Sequence, residues 1–128
     1  MAVIKENLLY TRFHEWVRLE NGLAKIGITD HARCELGELV FAEATAAGRR
    51  VVQGQPIGAV ESVKVASDIL SPLTGEIIQS QKDIGNLLDE LTEDPYEVWF
   101  VAIRTENPTE LDGLMDASAY EAYCAAGG

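Results

Sequence analysis

The sequence predicts a mostly β domain, a flattened barrel or sandwich of short strands with a few helices at its periphery. Two observations predict this class. Short runs of apolar and β-branched residues recur along the chain, and Gly, Asn and Pro turn signals separate them at close intervals. The chain has 128 residues, enough for one packed core and too few for two ordinary ones. We therefore expect a single domain over positions 1–128.

The first half of the chain predicts strands, a tight turn and one short helix. A mixed segment over 8–16 predicts an edge strand, and Asn21-Gly22 is a two-residue hairpin signal. Residues 23–28 alternate and so place their apolar side chains on one face. Thr29 has the character of a helix N-cap and Gly37 that of a helix terminator, so a short helix is expected after Thr29.

The second half predicts further strands and a C-terminal helix. Strands are expected at 39–41, 51–52, 56–61, 69–70, 75–78 and 98–103. The last is apolar on both faces, which predicts a central, covered strand, and a short helix is expected near 86–91. Asn107, Pro108 and Glu110 form a helix-start signature. They predict a helix over about 108–124, weakened at Gly113.

The composition argues against several classes of function. Ten Lys and Arg against 21 Asp and Glu give a net charge of −11, whereas phosphate binding needs clustered basic side chains, so no nucleic-acid partner is expected. No apolar run is long enough to span a bilayer, and Lys5 and Glu6 interrupt the start where a signal peptide would be apolar. We expect a cytoplasmic protein without a membrane partner. Cys34 and Cys124 are expected to be free thiols, and no ligand pattern predicts a metal site.

The most informative stretch runs from Glu61 to Glu76 and contains one lysine, Lys64. Glu61 precedes the lysine by three residues, and a Ser-Asp pair, a Ser-Pro step and a Gly-Glu pair follow it. Pro72 suits a turn because it cannot donate to a strand ladder, and glycines at the strand entries permit sharp bends. The pattern predicts a hairpin, at 58–76, whose turn projects Lys64. The alternative is an ordinary exposed lysine in a turn.

This stretch resembles the lipoyl-lysine hairpin of the H protein of the glycine cleavage system. A biotinyl domain, by contrast, flanks its lysine with methionines, and this chain has Val63 and Val65. Further similar blocks extend the resemblance from Leu9 to Tyr123; they stand at 14–16, 27–32, 36–41, 58–64 and 114–123. The resemblance implies a fold of the lipoyl, or hammerhead, type in a single lipoyl-carrier domain.

The resemblance also implies a function: a carrier subunit rather than an enzyme. Lipoate would be joined to Lys64 as an amide and act as a swinging arm. The implied partners are a pyridoxal-phosphate glycine decarboxylase that loads an aminomethyl group, a tetrahydrofolate-dependent aminomethyltransferase that removes it, dihydrolipoyl dehydrogenase, and a lipoyl-attaching enzyme. We expect the carrier itself to be a monomer.

Site residues follow from the same resemblance. Those expected to be recognised around the attachment turn are Glu61, Ser62, Val63, Ser67, Asp68 and Gly75. In a cleft that receives the loaded arm, Glu15 is the expected acceptor for the aminomethyl ammonium, with Asp68 and His31 as secondary candidates. Each has a plainer alternative: a strand-end acid for Glu15, a turn acid for Asp68, and a residue beside a helix N-terminus for His31.

The chain departs from the family pattern at several places near the expected cleft, including Phe13 and Val98, the stretch 42–48 and the stretch 79–81. These departures keep two alternatives open. One is an H-like lipoate-binding protein that carries sulfur for a heterodisulfide-reductase-like system or takes part in lipoyl relay, for which an apolar Phe13 is suited. The other is a β-rich interaction domain without a prosthetic group. Replacing Lys64 separates a carrier from the second alternative.

Overall fold

The computed structural model describes residues 2–128, and within them nine strands form two antiparallel sheets. The larger sheet contains, in spatial order, β1 (Leu9–Tyr10), β2 (Glu15–Glu20), β3 (Leu23–Ile28), β9 (Val101–Thr105), β8 (Gly75–Ser80) and β5 (Arg50–Val51). The smaller sheet contains β4 (Leu39–Ala44), β6 (Pro56–Ser62) and β7 (Ala66–Leu70). Strands are numbered along the chain.

Apolar side chains from both sheets share one buried core. Ile26, Ile77 and Ile103 contribute from the larger sheet, and Val60 and Ile69 from the smaller one. Burying such residues is the main favourable term in folding, roughly 1.5–3 kcal/mol for each side chain. The prediction of a mostly β sandwich with peripheral helices is confirmed.

The local signals of the first half act as predicted. Asn21 and Gly22 have φ angles of 53° and 78°, which a two-residue hairpin turn between β2 and β3 requires. Helix α1 (Asp30–Leu36) begins where the Thr29 side chain accepts a hydrogen bond from the Ala32 amide, 3.2 Å away. It ends at Gly37, whose φ is 79°. The short helix after Thr29 is confirmed.

The predicted edge strand over 8–16 is wrong because the chain turns in its middle. The backbone turns over residues 11–14, and His14 has a φ of 67°. The Thr11 hydroxyl accepts hydrogen bonds from the amides of Phe13 and Glu15, at 3.2 and 3.1 Å. A side chain that bonds its own backbone in this way competes with strand pairing. The segment therefore becomes β1, a turn, and the start of β2.

The predicted strand at 98–103 is displaced to Val101–Thr105. Val98 and Phe100 are buried, as the apolar run predicts, but residues 98–100 belong to no strand. Phe100 does make backbone bonds on both sides, from its amide to the Ile26 carbonyl at 2.7 Å and from the Gln81 amide to its carbonyl at 2.9 Å. An apolar run reports burial, and burial does not require strand pairing. The short helix expected near 86–91 is likewise displaced: a 3₁₀ turn over Ile84–Asn86 precedes α2 (Leu88–Glu93).

The hairpin is shorter than the predicted 58–76. Strand β6 pairs with β7, which ends at Leu70, and the chain then crosses to the larger sheet. Ser71 turns the chain by donating a hydrogen bond to the Leu73 carbonyl at 2.6 Å, and Pro72 has no amide to continue the ladder. Gly75 therefore begins β8, in the other sheet, and is not the partner of the strand before Lys64.

The C-terminal helix predicted at about 108–124 is two pieces. A 3₁₀ helix covers Pro108–Gly113, and α3 spans Ala117–Ala125. Between them Met115 is extended and exchanges two backbone hydrogen bonds with Tyr10, at 2.8 and 2.9 Å. This bridge satisfies backbone groups that a continuous helix would use, and so interrupts it. None of the helices in residues 2–128 has the length and apolarity to cross a membrane.

The predicted capping role of Glu110 is also replaced by a contact from elsewhere in the fold. The Glu110 carboxylate accepts hydrogen bonds from the amide and hydroxyl of Thr74, at 2.7 and 2.8 Å. Asn107 has no capping hydrogen bond from its side chain. The real N-cap of α3 is Asp116, whose carboxylate accepts from the Ala119 amide at 2.8 Å.

Candidate functional site

Lys64 lies at the tip of the turn between β6 and β7. The turn closes through a hydrogen bond from the Ser62 amide to the Val65 carbonyl, 2.8 Å long. The Lys64 side chain is exposed and passes over Gly37, where its Cε lies 3.5 Å from the point that a Cβ would occupy. It forms no ion pair with any residue in 2–128. The amine is therefore exposed and unpaired among the described residues.

Ser62 holds this turn from within. Its side chain is buried, and its hydroxyl accepts from the amides of Lys64 and Val65, both at 3.2 Å, while donating to the Val65 carbonyl at 3.3 Å. The Val63 amide also bonds the Glu38 carbonyl at 3.0 Å, which ties the turn to the start of β4. The lysine backbone is therefore fixed while its side chain is free.

We expect Ser62→Ala to loosen the turn without unfolding the protein. The change leaves two amides without their acceptor, and we expect the free energy of unfolding to fall by about 1 kcal/mol. Hydrogen exchange should quicken at the amides of Lys64 and Val65. Ser67→Ala is the matched control, because Ser67 is exposed and makes one long side-chain bond, 3.4 Å to the Asp68 carbonyl. Equal exchange in both variants would contradict this assignment to Ser62.

The other residues expected around the attachment turn are divided by the structure. Glu61, Val63, Ser67 and Asp68 are all exposed on the hairpin that carries Lys64, and their recognition by an attaching enzyme stays a prediction. Gly75 lies in the other sheet, where an added Cβ would stand 2.1 Å from the Arg104 carbonyl oxygen. Packing alone therefore accounts for a glycine at this position.

A cleft of about 420 Å³ lies near the far end of β7 from Lys64. Its walls come from the turn after β1, the end of β7 and the C-terminal segment, and they include Glu15, Leu70, Pro72, Met115 and Tyr123. Strand β7 runs directly from the lysine turn to this wall. The hydroxyl of Tyr123 donates to the Arg12 carbonyl at 3.0 Å, which closes the C-terminal side.

Glu15 is the buried acid of this cleft, with 3% of its surface exposed. Its Oε1 accepts from the Thr11 hydroxyl at 2.6 Å, and its Oε2 accepts from the Leu70 amide at 3.3 Å, on the free edge of β7. Burial raises the pKa of Glu15 from 4.5 to about 7, and the two hydrogen bonds oppose that rise. No basic side chain of residues 2–128 forms an ion pair with it.

The secondary cleft candidates, His31 and Asp68, do not line this cleft, which corrects the prediction that they join Glu15. Asp68 lies opposite Ala59 on the outer face of the smaller sheet, because side chains alternate along a strand. The His31 ring stacks on His14 with centroids 4.2 Å apart and faces Glu35 on the next turn of α1. Of the three predicted residues, the structure places Glu15 alone in the cleft.

Ligand atoms of His14, His31 and Cys124 lie within 4.8 Å of one another. The two imidazole rings are stacked with an interplanar angle of 23°. A ring nitrogen binds a metal in the plane of its ring, so rings stacked in this way do not direct their lone pairs at one ion. The Nδ1 of His14 instead meets the Tyr120 hydroxyl at 2.6 Å. We assign no metal to this cluster.

Sequence reasoning missed Thr11 and the C-terminal wall of the cleft. Thr11 stands four residues before Glu15, and a hydroxyl residue ahead of a turn is a signal that could have found it. Met115 lies in the break before α3 and Tyr123 lies in α3 itself, and both line the cleft. That break depends on the bridge to Tyr10, which no local pattern indicates.

The fold and site define a class of small β domains that present a lysine on a hairpin turn and have a cleft at the far end of the following strand. A family model described as "Glycine cleavage H-protein" matches residues 8–127. The chain is 44% identical over 123 residues to the "Glycine cleavage system H protein 2" of Pseudomonas aeruginosa, covering 95% of each chain. It is 43% identical over 121 residues to the glycine cleavage system H protein of Methylococcus capsulatus, covering 94% of this chain and 95% of that one.

Structure comparison agrees with the sequence comparisons. A crystal structure of a glycine cleavage system H protein from Mycobacterium marinum matches with a TM-score of 0.86 and 29% identity, over 95% of this chain and 99% of that chain. The chain belongs to the glycine cleavage H-protein family. This family consists of lipoate-bearing carrier subunits and not of enzymes, so the resemblance and the prediction of a carrier are confirmed at the level of the family.

Proposed function

We propose that this chain is the lipoyl carrier of a glycine cleavage system, with lipoate amide-linked to Lys64. The residues present fit that group, because the lysine amine is exposed, has no ion pair within the described part of the chain and is held on a hydrogen-bonded turn. Bound there, the lipoyl group supplies a disulfide that can accept the aminomethyl group derived from glycine. The chain's own residues present that group, receive its cargo end in the cleft, and release it to the next enzyme.

The observation that carries this proposal is Glu15, a buried carboxylate in the cleft with no basic partner among residues 2–128. Burying an unpaired charge is costly, and a cation that enters the cleft relieves that cost. An aminomethyl cargo carries such a cation as its ammonium group. A sulfur cargo in persulfide form is an anion, and the same carboxylate would repel it. Glu15 therefore favours the amine over the sulfur alternative.

The cleft also suits protection of the cargo. An aminomethyl group on sulfur is prone to hydrolysis, and a site that excludes water slows that loss. Leu70, Pro72 and Met115 line the cleft with apolar surface around the carboxylate. Phe13 is 67% exposed and also borders the cleft. An apolar ring at this edge suits contact with the hydrocarbon of the arm, whichever cargo the arm carries.

The proposed partners are those of the glycine cleavage cycle. They are a pyridoxal-phosphate glycine decarboxylase, a tetrahydrofolate-dependent aminomethyltransferase, dihydrolipoyl dehydrogenase and a lipoyl-attaching enzyme. Each must reach the same exposed turn in its own step. The net charge of −11 supports encounters with basic surfaces on these enzymes, since complementary charge speeds association.

The test is a glycine–bicarbonate exchange assay with glycine decarboxylase. The carrier would be the full chain, shown by intact mass to bear one lipoyl group, and we expect exchange to depend on it. Lys64→Arg should carry no lipoyl group and should lower exchange to the level without carrier. Because Lys64 is exposed, the free energy of unfolding of the variant should lie within about 0.5 kcal/mol of that of the parent.

Lys82→Arg is the matched control, since Lys82 is also exposed but lies outside the hairpin. We expect it to be modified and active like the parent chain. A fully lipoylated chain without exchange would overturn the glycine cleavage assignment. A Lys64→Arg chain that is still lipoylated would overturn the attachment site.

A further inference from the structure

The Thr11 side chain is the hub of the hydrogen bonds behind Glu15. Thr11 is buried, and its Oγ1 takes part in three short-range contacts. It accepts from the Phe13 amide at 3.2 Å and from the Glu15 amide at 3.1 Å. It lies 2.6 Å from Oε1 of the Glu15 carboxyl group. The hydroxyl thus contacts both the backbone and the side chain of the cleft acid.

The count of donors and acceptors fixes the direction of the contact between Thr11 and Glu15. A hydroxyl has one hydrogen to donate and two lone pairs to accept with. Both lone pairs of Thr11 are taken by amides, so its hydrogen points to the carboxylate. The second contact of Glu15, the Leu70 amide at 3.3 Å, is also a donor. Neither partner can accept a proton from Glu15, so both contacts select the carboxylate form.

We propose that Thr11 is a positioning residue that holds the Glu15 carboxylate as a fixed acceptor, ready for a cationic amine on the arm. This inference rests on the proposed function for the identity of the cation. The arrangement saves reorganisation when the amine arrives, because the carboxylate is oriented beforehand. The lone pairs of Glu15 that do not accept from Thr11 or Leu70 remain available to accept hydrogen bonds from a group in the cleft.

The electrostatics of the cleft agree with this role. Burial raises the pKa of Glu15 to about 7, and the Thr11 hydrogen bond is the larger of the two interactions that lower it. The other titratable or charged side chains lining the cleft are Tyr10, Arg12 and Tyr123. None of these three contributes to the pKa of Glu15. Thr11 is therefore the side chain on which the ionisation of Glu15 depends most.

The test is an NMR titration of the Glu15 carboxyl carbon in the full chain before lipoylation. The Glu15 signal is assigned by its loss in Glu15→Gln. We expect a midpoint near pH 7 in the parent, a similar one in Thr11→Ser, and one higher by about one pH unit in Thr11→Val. Thr11→Val replaces the hydroxyl with a methyl group of similar volume. A folded Thr11→Val chain with the parent midpoint overturns the proposal.

A second measurement needs no variant and so does not depend on folding of Thr11→Val. The Phe13 amide bonds the Thr11 oxygen and does not touch the Glu15 carboxylate. If the hydroxyl is bonded as proposed, the Phe13 amide shift should follow pH with the midpoint of Glu15. A Phe13 amide that does not respond overturns the proposal.

These readouts are separate from the test of the proposed function. In the lipoylated chain, we expect Thr11→Val to lower glycine–bicarbonate exchange several-fold at pH 7 and less at pH 9, with Thr11→Ser restoring it. If the parent shows no exchange but the Glu15 titration midpoints are as expected, the glycine cleavage role is removed and the role of Thr11 remains. Normal exchange in the parent, with a Thr11→Val chain that keeps the parent's Glu15 titration midpoint and the parent's pH dependence of exchange, would remove the role of Thr11 and leave the glycine cleavage role.

Discussion

Gly75→Ala should lower the free energy of unfolding by about 3–4 kcal/mol, an unusually large loss for one methyl group. An added Cβ would stand 2.1 Å from the Arg104 carbonyl oxygen and 2.8 Å from Cγ2 of Ile103. The first of these atoms is backbone, so a rotamer change cannot relieve the clash. Strands β8 and β9 would have to separate where Gly75 pairs with Thr105. Urea unfolding followed by tryptophan fluorescence measures the loss.

Gly113→Ala is the matched control for that experiment. Within residues 2–128, and apart from its own chain neighbours and helix backbone, no atom lies within 4 Å of a Cβ added at Gly113, which is in a 3₁₀ helix. We expect a change within about 0.5 kcal/mol, or slight stabilisation, because alanine restricts the unfolded chain. Similar stability of the two variants would show that the sheet at Gly75 yields easily. The folded fraction of Gly75→Ala should still accept lipoate, since the lysine turn lies in the other sheet.

Replacing Glu15 with glutamine should destabilise the protein at pH 5 and stabilise it at pH 8. The folded-state pKa is raised from 4.5 to about 7. The folded protein therefore holds a proton that the unfolded chain releases, and its stability falls as pH rises through this window. The contribution lost is about 3 kcal/mol, since one pKa unit corresponds to about 1.4 kcal/mol.

Glutamine has no charge to bury, but its amide nitrogen cannot accept the Leu70 hydrogen bond. We therefore expect Glu15→Gln to be more stable than the parent by about 2 kcal/mol at pH 8 and less stable by about 1 kcal/mol at pH 5. Urea unfolding at the two pH values measures this. Glycine–bicarbonate exchange should fall even where stability rises, because the ammonium group of the cargo loses the Glu15 carboxylate that accepts it.

The comparison must be made at each pH, because His14 titrates in the opposite direction. Burial, with His31 adding to it, lowers the pKa of His14 below 6.5. The unfolded chain then binds more protons at that site, and stability rises with pH. Asp68→Asn is the control, since Asp68 is an exposed acid beside the lysine turn. If the free energies of unfolding of the parent and of Glu15→Gln differ by the same amount at both pH values, the raised pKa assigned to Glu15 is contradicted.

Features with a local cause could be predicted from the sequence. The Asn21-Gly22 turn and the limits of α1 at Thr29 and Gly37 follow from backbone preferences within a few residues. The exposed turn at Lys64 has the same character. Glu15 was reached only through the resemblance to a family, because nothing in the residues around it states that it is buried.

Features with a non-local cause could not be predicted in this way. The prediction of one helix over 108–124 was wrong because Met115 exchanges backbone hydrogen bonds with Tyr10, which lies more than a hundred positions earlier in the chain. The prediction that Gly75 belongs to the lysine hairpin was wrong because the chain crosses to the larger sheet after Leu70, at Ser71 and Pro72. His31 was a secondary cleft candidate on the family resemblance, whereas in the structure its ring stacks on His14.

The bridge between Tyr10 and Met115 separates two properties of the protein by the amount of chain that each requires. The lysine turn is complete within residues 37–70, where Ser62 and Glu38 supply its contacts. The cleft exists only when both ends of the chain have met around it. On the proposed function, we expect damage near either terminus to impair the cleft before it impairs the lysine turn. On that proposal, a damaged chain would lose its cargo before it lost the ability to be modified.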